Sequence, residues 1–450
     1  MTIKTIQATG GQRSANWTRV KSIAARGRRP FVYGALVAFS WLYYYRPEDF
    51  IPGLAYIPMA KVAGIIGAVA LLIGMMGGNA KLPLTIKVLW LLLLQMTLCI
   101  PLAMWKGGAF STVFDQFSKG VVVAMLISMA VVTMRELRKL LWIQVSAVAL
   151  VTFFSILLRH HDKDGRLSGV QKSILENPND LAINIAISFP LGVAFMLHAR
   201  GFKKVLWAAA LAFMGLGIIL TYSRSGLLAF IISIVVCVWE YGIKGKRRYM
   251  VGAAAVVMLI GIGVVFGSSH YRARVESIFL GNIQGSGDEG SLQAREALLK
   301  KSVMVALTHP IFGVGPGCFP LIDEGWRVAH NTYTEIAAEA GIPALVLFLI
   351  AIGAAFKNIA QIRKSEHYRE DSEFRLFTQA LWAGLAAYLA GACFASTEYN
   401  LYPYFMVAYT CAMVQIISRP LAVGGQDIKK QSLSKTTYDR IARPQPVWNR

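Results

Sequence analysis

Charged residues are scarce in this chain of 450 residues, because Asp, Glu, Lys and Arg together make up only 16% of it. An ordinary soluble domain carries about 25%. Hydrophobic residues reach 55%, and the mean hydropathy is +0.50. The apolar residues form uniform runs of about 20 residues, long enough to cross a bilayer as helices. The short alternating segments typical of a β-barrel are missing. The sequence therefore predicts an all-α, polytopic integral membrane protein.

Cysteine is also scarce, with five residues in the whole chain. Most of them lie inside apolar runs, and Cys318 alone falls in an expected loop. Their spacing matches neither a disulfide framework nor a zinc motif. We therefore expect no structural metal and no cofactor.

About twelve apolar runs are candidates for transmembrane helices. They lie near residues 31–46, 57–77, 83–104, 117–134, 139–158, 180–198, 204–221, 225–243, 250–268, 335–356, 375–395 and 400–418. The first 30 residues are basic and lack the apolar core of a signal peptide. The chain then divides into a basic cytoplasmic segment (1–30), helices 1–9 (31–268), a large periplasmic loop (269–334), helices 10–12 (335–418) and a polar tail (419–450) that we expect to be disordered and cytoplasmic.

The basic residues are unevenly placed. The formal net charge is +22, from 46 Lys and Arg against 24 Asp and Glu. With a cytoplasmic N-terminus, about two thirds of the Lys and Arg lie at the inner ends of the predicted helices, as the positive-inside rule requires. This distribution explains the charge by membrane topology, so we predict a lipid bilayer as partner and no nucleic acid.

The long outer loop is predicted to contain an amphipathic helix. Apolar side chains recur at helical spacing from Ser291, a plausible N-cap, to Thr308, and His309-Pro310 ends the run. The members of this apolar set are Leu292, Leu298, Leu299, Val303 and Leu307. The "GVGPG" that follows (313–317) predicts a tight turn. It resembles a phosphate-binding loop only weakly, since it has no following Lys-Ser/Thr and no preceding strand.

Three basic side chains on the predicted outer face are candidate functional residues. Arg224 lies at membrane depth in "LTYSRSGLLAF" between Ser223 and Ser225, where it faces either a cavity or the bilayer boundary. Arg295 belongs to the loop helix, where a solvated surface role is the common alternative. His330 precedes a membrane helix, as either a structural hydrogen-bonding residue or a base. Guanidinium groups bind phosphate oxygens in a fork, and a neutral imidazole removes a proton from a hydroxyl.

Acidic residues offer two rival sites. Glu48 and Asp49 lie on the first outer loop, where metal-dependent lipid-linked glycosyltransferases often carry carboxylates. The stretch "RHHDKDG" (159–165) contains His160, His161, Asp162 and Asp164. Adjacent ligands without helical spacing favour a solvated loop there over a metal site.

Four stretches together resemble the O-antigen ligase family, which also includes O-antigen polymerases and some protein O-oligosaccharyltransferases. They are "ENPNDLA" (176–182), "TYSRSG" (221–226), "THPIFGVGPGCF" (308–319) and "AHNTYTEIAAEAGIPAL" (329–345), and the similarity spans roughly residues 80–418. The resemblance implies a bacterial inner-membrane enzyme with its active site facing the periplasm. Such enzymes transfer a glycan from an undecaprenyl-diphosphate carrier to an acceptor, without a metal and with inversion.

The resemblance also implies roles for individual residues. His330 corresponds to the histidine that activates the acceptor hydroxyl, and Arg224 and Arg295 correspond to the arginines that hold the donor diphosphate. The alignment around Arg295 is looser because the loop length varies in the family. Ser223, Ser225, Asn331 and Tyr333 are expected to support the site.

The acceptor is not fixed by the sequence. We expect lipid A–core, as for a ligase; the alternatives are a growing glycan, as for an O-antigen or exopolysaccharide polymerase, and a protein. A polysaccharide transporter is a more distant alternative, because transporters commonly show charges along mid-membrane helices and two similar halves. Here the polar residues gather at one face, and the halves do not match in pattern.

Overall fold

A computed structural model describes residues 30–45, 59–76, 82–162, 165–169, 176–247, 249–250, 252, 292–323 and 325–418. Within these ranges the protein is helical and has no strand; one isolated antiparallel bridge joins His161 and Leu167. The principal helices are α1 (Pro30–Tyr45), α2 (Met59–Met76), α3 (Leu84–Cys99), α4 (Lys106–Ala130), α5 (Met134–Leu157), α6 (Pro178–His198), α7 (Phe202–Leu220), α8 (Arg224–Ile243), α9 (Leu292–Thr308), α10 (Thr332–Arg363), α11 (Glu366–Glu370), α12 (Ser372–Ala392) and α13 (Tyr402–Ile417).

The membrane class predicted from the sequence is confirmed. Among the described residues, seven helices are long and apolar enough to cross a membrane, namely α4 to α8, α10, and α3 with its short 3-10 extension to Leu102. Shorter apolar helices lie at Met59–Ile73 and Tyr402–Ile417. The predicted ninth span, 250–268, lies outside the described residues apart from a few positions at its start. The number of twelve spans therefore stays a prediction.

Helix α6 lies at the centre of the bundle. Of its most apolar window, 78% is buried, against 22% for the neighbouring α7. Small residues allow this packing: a Cβ on Gly226 of α8 would lie 2.1 Å from the Cβ of Ala182. Close backbone approach at small residues is a common way for membrane helices to associate. It draws the first turns of α6 and α8, with their polar motifs, against each other.

One end of the bundle is held by ion pairs. Glu373 at the start of α12 accepts a hydrogen bond of 2.8 Å from Arg138 and lies 3.9 Å from His198. Glu240 in the last turns of α8 lies 3.1 Å from both Lys244 and Arg363. This basic end gathers segments that the charge distribution assigns to the cytoplasm, whereas the candidate residues lie at the opposite end.

Helix α10 is broken in its third turn. Gly341 has a φ of 82° and ψ of 167°, and Pro343 lacks an N–H, so the carbonyls of Ala338 and Glu339 lose their helical donors. Val314 N and Gly315 N take their place, each at 2.9 Å, and the N–H of Ile342 donates to the carbonyl of Pro310 at 2.7 Å. These bonds hold the loop after α9 against the break in α10. Without them the backbone groups at the break would be unpaired, which is costly at membrane depth.

Candidate functional site

Segments that are distant in sequence meet at the end of the bundle opposite the basic end. The hydroxyl of Ser223 donates to Asn179 Oδ1 at 2.8 Å, and Asn400 Nδ2 donates to Asp180 Oδ1 at 3.2 Å. The start of α10 joins the same end, because Thr332 donates from its backbone N and its hydroxyl to the Ala395 carbonyl. The stretches "ENPNDLA", "TYSRSG" and "AHNTY" therefore form one polar surface.

Arg224 is the first residue of α8, and its position is fixed by the preceding serine. Ser223 is the N-cap: its side-chain oxygen accepts from Gly226 N at 3.1 Å and lies 3.1 Å from the hydroxyl of Ser225. Both serines are buried, whereas Arg224 is half-buried. The serines thus hold the helix start, and Arg224 is the first residue at the end of the helix where the dipole favours an anion.

Arg166 is a site residue that the sequence analysis missed. Its Nε donates to the Thr221 carbonyl at 3.2 Å, and its Nη2 donates to Asn179 Oδ1 at 3.0 Å. Asn179 Oδ1 is the atom that also accepts from Ser223, so Arg166 braces the cap of α8. The loop of residues 160–168 places Arg166 beside Asn179. This loop is anchored by Leu167, which is fully buried and whose N–H donates to the Leu220 carbonyl at 2.9 Å.

His330 stands immediately before α10 in a strained backbone conformation. Its φ is 54°, in the left-handed region that bulky residues rarely adopt, and its N–H donates to Ser396 Oγ at 3.1 Å. The next residue, Asn331, caps α10 by accepting from Tyr333 N and Thr334 N. Strain of this kind persists only where the surroundings enforce it, and it clusters at functional sites.

The supporting residues Asn331 and Tyr333 bind the helix start to α12. Asn331 Nδ2 donates to the Cys393 carbonyl at 3.0 Å, and the Tyr333 hydroxyl donates to the Leu389 carbonyl at 3.0 Å. These bonds fix the direction in which α10 begins. They position His330 through the backbone.

The electrostatic surroundings keep the imidazole of His330 neutral. Burial lowers its pKa from 6.5 to about 4, and the positive charges of Arg295, Arg327 and Arg166 act in the same direction. Arg295 and Arg166 come from α9 and from the loop before α6, while Arg327 is close in sequence and pairs with Asp323 at 2.9 Å. His330 is therefore a neutral imidazole within electrostatic reach of three positive charges.

The glycine-rich turn uses its own backbone donors and leaves none for a phosphate. Gly313, Gly315 and Gly317 all have positive φ, as the predicted tight turn requires. Every N–H from 313 to 319 has an acceptor inside the protein: Gly313 N donates to His309 O, Val314 N to Ala338 O, Gly315 N to Glu339 O, Gly317 N to Glu339 Oε2, Cys318 N to Gly315 O and Phe319 N to Glu339 Oε1. The turn is a structural anchor on α10, built around the carboxylate of Glu339.

Three buried carboxyl groups lie beneath the site. Glu339 accepts from Gly317 N at 2.7 Å, from Phe319 N at 2.9 Å and from the Tyr399 hydroxyl. Glu335 accepts from Ala329 N at 3.1 Å and from the Ser396 hydroxyl, the same hydroxyl that receives the N–H of His330. Burial, and then the neighbouring carboxylates, raise the pKa of Glu398 well above its usual value. Glu335 holds the segment next to His330, and Glu339 holds the glycine-rich turn.

The rival acidic sites differ in how far the structure describes them. Asp162 accepts from Arg166 N at 2.8 Å and lies 3.9 Å from Arg166 Nε, so it holds its own loop together. Glu48, Asp49 and Asp164 lie outside the described residues. In the described part of the chain, no three His, Cys, Asp or Glu side chains are grouped as metal ligands.

The predicted helix of the long loop is present as α9 from Leu292 onward. Its apolar side chains are divided between a buried and an exposed side: Leu298 is 1% exposed, whereas Val303 is 41% and Leu307 is 69% exposed. The buried side also includes Ser302, which donates to Thr334 Oγ1 at 2.8 Å. Its amphipathic character at the membrane surface stays a prediction.

Comparison with known proteins supports the resemblance seen in the sequence. Residues 209–349 match the family model described as O-antigen ligase, and this range contains Arg224, Arg295 and His330 but not Arg166. The resemblance to the O-antigen ligase family is thereby confirmed over residues 209–349. No curated protein matches the chain. A solved structure titled "Structural coordination of polymerization and crosslinking by a peptidoglycan synthase complex" aligns at 14% identity and a TM-score of 0.46, covering 76% of this chain and 98% of the other.

Proposed function

We propose that this multi-pass membrane protein transfers a glycan from an undecaprenyl-diphosphate carrier to an acceptor hydroxyl at the periplasmic face of the bacterial inner membrane. The preferred acceptor is lipid A–core, as in O-antigen ligation. The family match supports a ligase- or polymerase-type glycosyltransferase. The observation that carries the proposal is the position of His330, half-buried at the start of α10 and held by Ser396, at the same end of the bundle as Arg224 at the start of α8.

The reaction needs one base and a stable site for the leaving group. The acceptor oxygen attacks the anomeric carbon, its proton passes to His330, and the bond from that carbon to the diphosphate oxygen breaks on the opposite face. The diphosphate keeps the bonding electrons and gains negative charge. Fixed positive charges that meet it in a water-poor site stabilise the transition state more than the ground state. Inversion at the anomeric carbon follows from this single displacement.

Arg224 and Arg295 are assigned to the donor diphosphate. Guanidinium groups stay charged at neutral pH and bind phosphate oxygens through two parallel bonds. Arg224 also stands at the N-terminus of α8, where backbone dipoles add to its charge. These residues supply what a divalent ion supplies in metal-dependent transferases.

The test is transfer by the purified protein in vesicles that contain a carrier-linked glycan. Lipid A–core, a second carrier-linked glycan and a Ser/Thr-rich protein are offered separately, and the expected product is glycosylated lipid A–core. Transfer only to one of the other acceptors would replace ligation by polymerisation or protein glycosylation. Transfer should persist in excess EDTA; activity that disappears with the chelator and returns with magnesium or manganese would move attention to Glu48 and Asp49.

A further inference from the structure

A serine outside the range that matches the family model holds the backbone of His330. The N–H of His330 donates to Ser396 Oγ at 3.1 Å, and the Ser396 hydroxyl donates to Glu335 Oε2. The same carboxylate oxygen accepts from Ala329 N at 3.1 Å. Two successive backbone N–H groups therefore end on one acid that is only 2% exposed, the first directly and the second through Ser396.

These bonds act on the one site residue whose backbone is strained. A φ of 54° costs energy for a residue with a bulky side chain, so His330 would relax if its N–H were released. Because the Cβ moves with the backbone, a change of φ would also displace the imidazole. A hydroxyl that donates its proton to an acid offers its lone pairs to other donors, so Glu335 fixes Ser396 as the acceptor for His330.

The contacts on either side of Ser396 hold the two segments together without it. Thr332 donates from its N and its hydroxyl to the Ala395 carbonyl, and the N–H of Thr397 donates to Thr332 Oγ1 at 3.0 Å. The start of α10 is therefore docked on the segment after α12 through the residues before and after Ser396. The hydroxyl of Ser396 itself bonds to His330 and Glu335, so its loss should affect the conformation of His330 more than the fold.

We infer that Ser396, oriented by Glu335, is a positioning residue that holds His330 in the left-handed conformation in which its imidazole serves as the base. The inference rests on the proposed function in that His330 accepts the proton of the acceptor hydroxyl. Neither Ser396 nor Glu335 touches substrate in this role, and the proton transfer stays with the imidazole. Loss of the hydroxyl should therefore lower kcat and leave binding of the donor at Arg224 unchanged.

Kinetics of two substitutions at Ser396 separate positioning from folding. Ser396→Ala should unfold at the native temperature, and its kcat should fall by about 10- to 100-fold with the KM for the donor unchanged. Ser396→Thr keeps a hydroxyl and should recover most of the lost kcat. The matched control is Ser365→Ala, because Ser365 Oγ accepts a backbone N–H from Tyr368 at 3.3 Å at the basic end; it should keep the native kcat. A higher KM at native kcat, or no recovery with threonine, would overturn the inference.

A double variant tests whether Glu335 acts through Ser396. In Glu335→Gln the neutral amide can accept the same two bonds but holds them less strongly than a carboxylate, so kcat should fall by less than in Ser396→Ala. Added to Ser396→Ala, the Glu335→Gln change should lower kcat little further, because the hydroxyl through which it acts is already gone. Losses that simply multiply would show that the two side chains act separately.

The protonation of His330 gives a readout that needs no transfer. Burial is the main cause of its low pKa of about 4, ahead of the charges of Arg295, Arg327 and Arg166. Ser396→Ala should release the imidazole from its half-buried position and raise this pKa towards 6.5, as followed by NMR of the chain labelled at its seven histidines, with His330→Ala to assign the signal. An unchanged pKa would overturn the inference. A native protein that transfers glycan to no acceptor, with the pKa moving as expected, would refute the proposed function and leave the conformational role of Ser396 standing.

Discussion

The two ends of the helical bundle use charged side chains in different ways. At the basic end, carboxylates pair with cations: Glu240 with Lys244 and Arg363, and Glu373 with Arg138. At the site end, Glu335 and Glu339 are satisfied by backbone N–H groups and hydroxyls instead. Three arginines at that end, Arg295, Arg327 and Arg166, lower the pKa of His330 through their charge. Two of them are themselves paired, Arg327 with Asp323 and Arg166 with Asp162. The difference between the ends is therefore that the buried Glu side chains of the site end are held by neutral donors, whereas the Glu side chains of the basic end are held by cations.

Under the proposed function, this difference separates anchoring at one end of the protein from chemistry at the other. Ion pairs at the basic end join the ends of different helices, as Arg138 joins Glu373 and Arg363 joins Glu240. At the site end, neutral donors hold the buried carboxylates, so the arginine charge is not cancelled by them. The comparison can be tested by labelling the two ends and by changing charged groups at each.

The largest expected difference between the ends is in access from the periplasm. Cys393 is exposed at the site end, and the other four cysteines are buried. A membrane-impermeant maleimide added to intact cells should label the native chain at Cys393, and Cys393→Ser should remove the signal. A Lys203→Cys substitution in that background, at the start of α7, should stay unlabelled until the membrane is permeabilised. Labelling with the opposite pattern would place His330 in the cytoplasm and remove the proposed reaction.

Loss of the proposed base should have the largest effect on catalysis. The His330→Ala variant should fold and reduce transfer by on the order of 10²–10⁴-fold, because the acceptor proton has no other designated base. The matched control is His309→Ala, an exposed histidine in the turn after α9, which should keep nearly full activity. Near-normal turnover by purified His330→Ala would exclude it as the base.

Replacing Arg224 by Lys should reduce transfer less than loss of His330 does. It separates the contribution of the positive charge from that of the guanidinium geometry. Arg224→Lys retains the positive charge but loses the two-pronged bond to phosphate, so we expect transfer to fall by about 10- to 100-fold. Arg138→Lys makes the same change at the basic end and should leave transfer unchanged. Equal rates for Arg224→Lys and the native protein would show that a point charge suffices and that the fork plays no part.

The acidic limb of the kcat/KM profile should lie about two pH units lower than it would for a histidine with an ordinary pKa. With a pKa near 4, His330 is neutral through the usual working range, so the acidic limb of kcat/KM should fall near pH 4 and not near 6.5. Because the folded-state pKa is depressed, the unfolded chain binds more protons between these values. The stability contribution is therefore complete above about pH 6.5 and is lost as pH falls towards 4. Arg295→Gln should move the acidic limb upward; an unchanged limb would contradict the electrostatic account.

Sequence reasoning predicted the helices well because length and hydropathy determine them. The segment 180–198 was predicted and α6 is Pro178–His198; the segment 204–221 was predicted and α7 is Phe202–Leu220. The break in α10 was not predicted. Gly341 and Pro343 were visible, but only the docked loop at Pro310 shows that the freed backbone groups are satisfied from outside the helix. Such pairing depends on tertiary contacts that periodicity does not encode.

The candidate site was predicted in part for a similar reason. Arg224 and His330 were identified through short motifs and their positions at helix starts. Arg166 had no such motif, and its role depends on a loop that returns over Leu220 to reach Asn179. The one usable signal was its position in a polar loop next to "ENPNDLA". Likewise, helical spacing in α9 predicted a helix but did not show which apolar side chains pack, since Leu298 is 1% exposed and the adjacent Leu299 is 38% exposed.

The smallest effect is expected from breaking an ion pair at the basic end. Glu373→Gln removes the partner of Arg138, whose side chain is 36% exposed, so solvent already screens the pair. Exposed pairs of this kind contribute about 0–1 kcal/mol, and the glutamine still accepts a hydrogen bond. Thermal unfolding in detergent should shift only slightly, and transfer should match the native rate. The corresponding change beneath the site, Glu339→Gln, turns one carboxylate oxygen that accepts a backbone N–H into a donor, so it should lower both stability and transfer. If Glu373→Gln reduced transfer as much as Glu339→Gln, the two ends would be coupled, and the separation of anchoring from chemistry would be wrong.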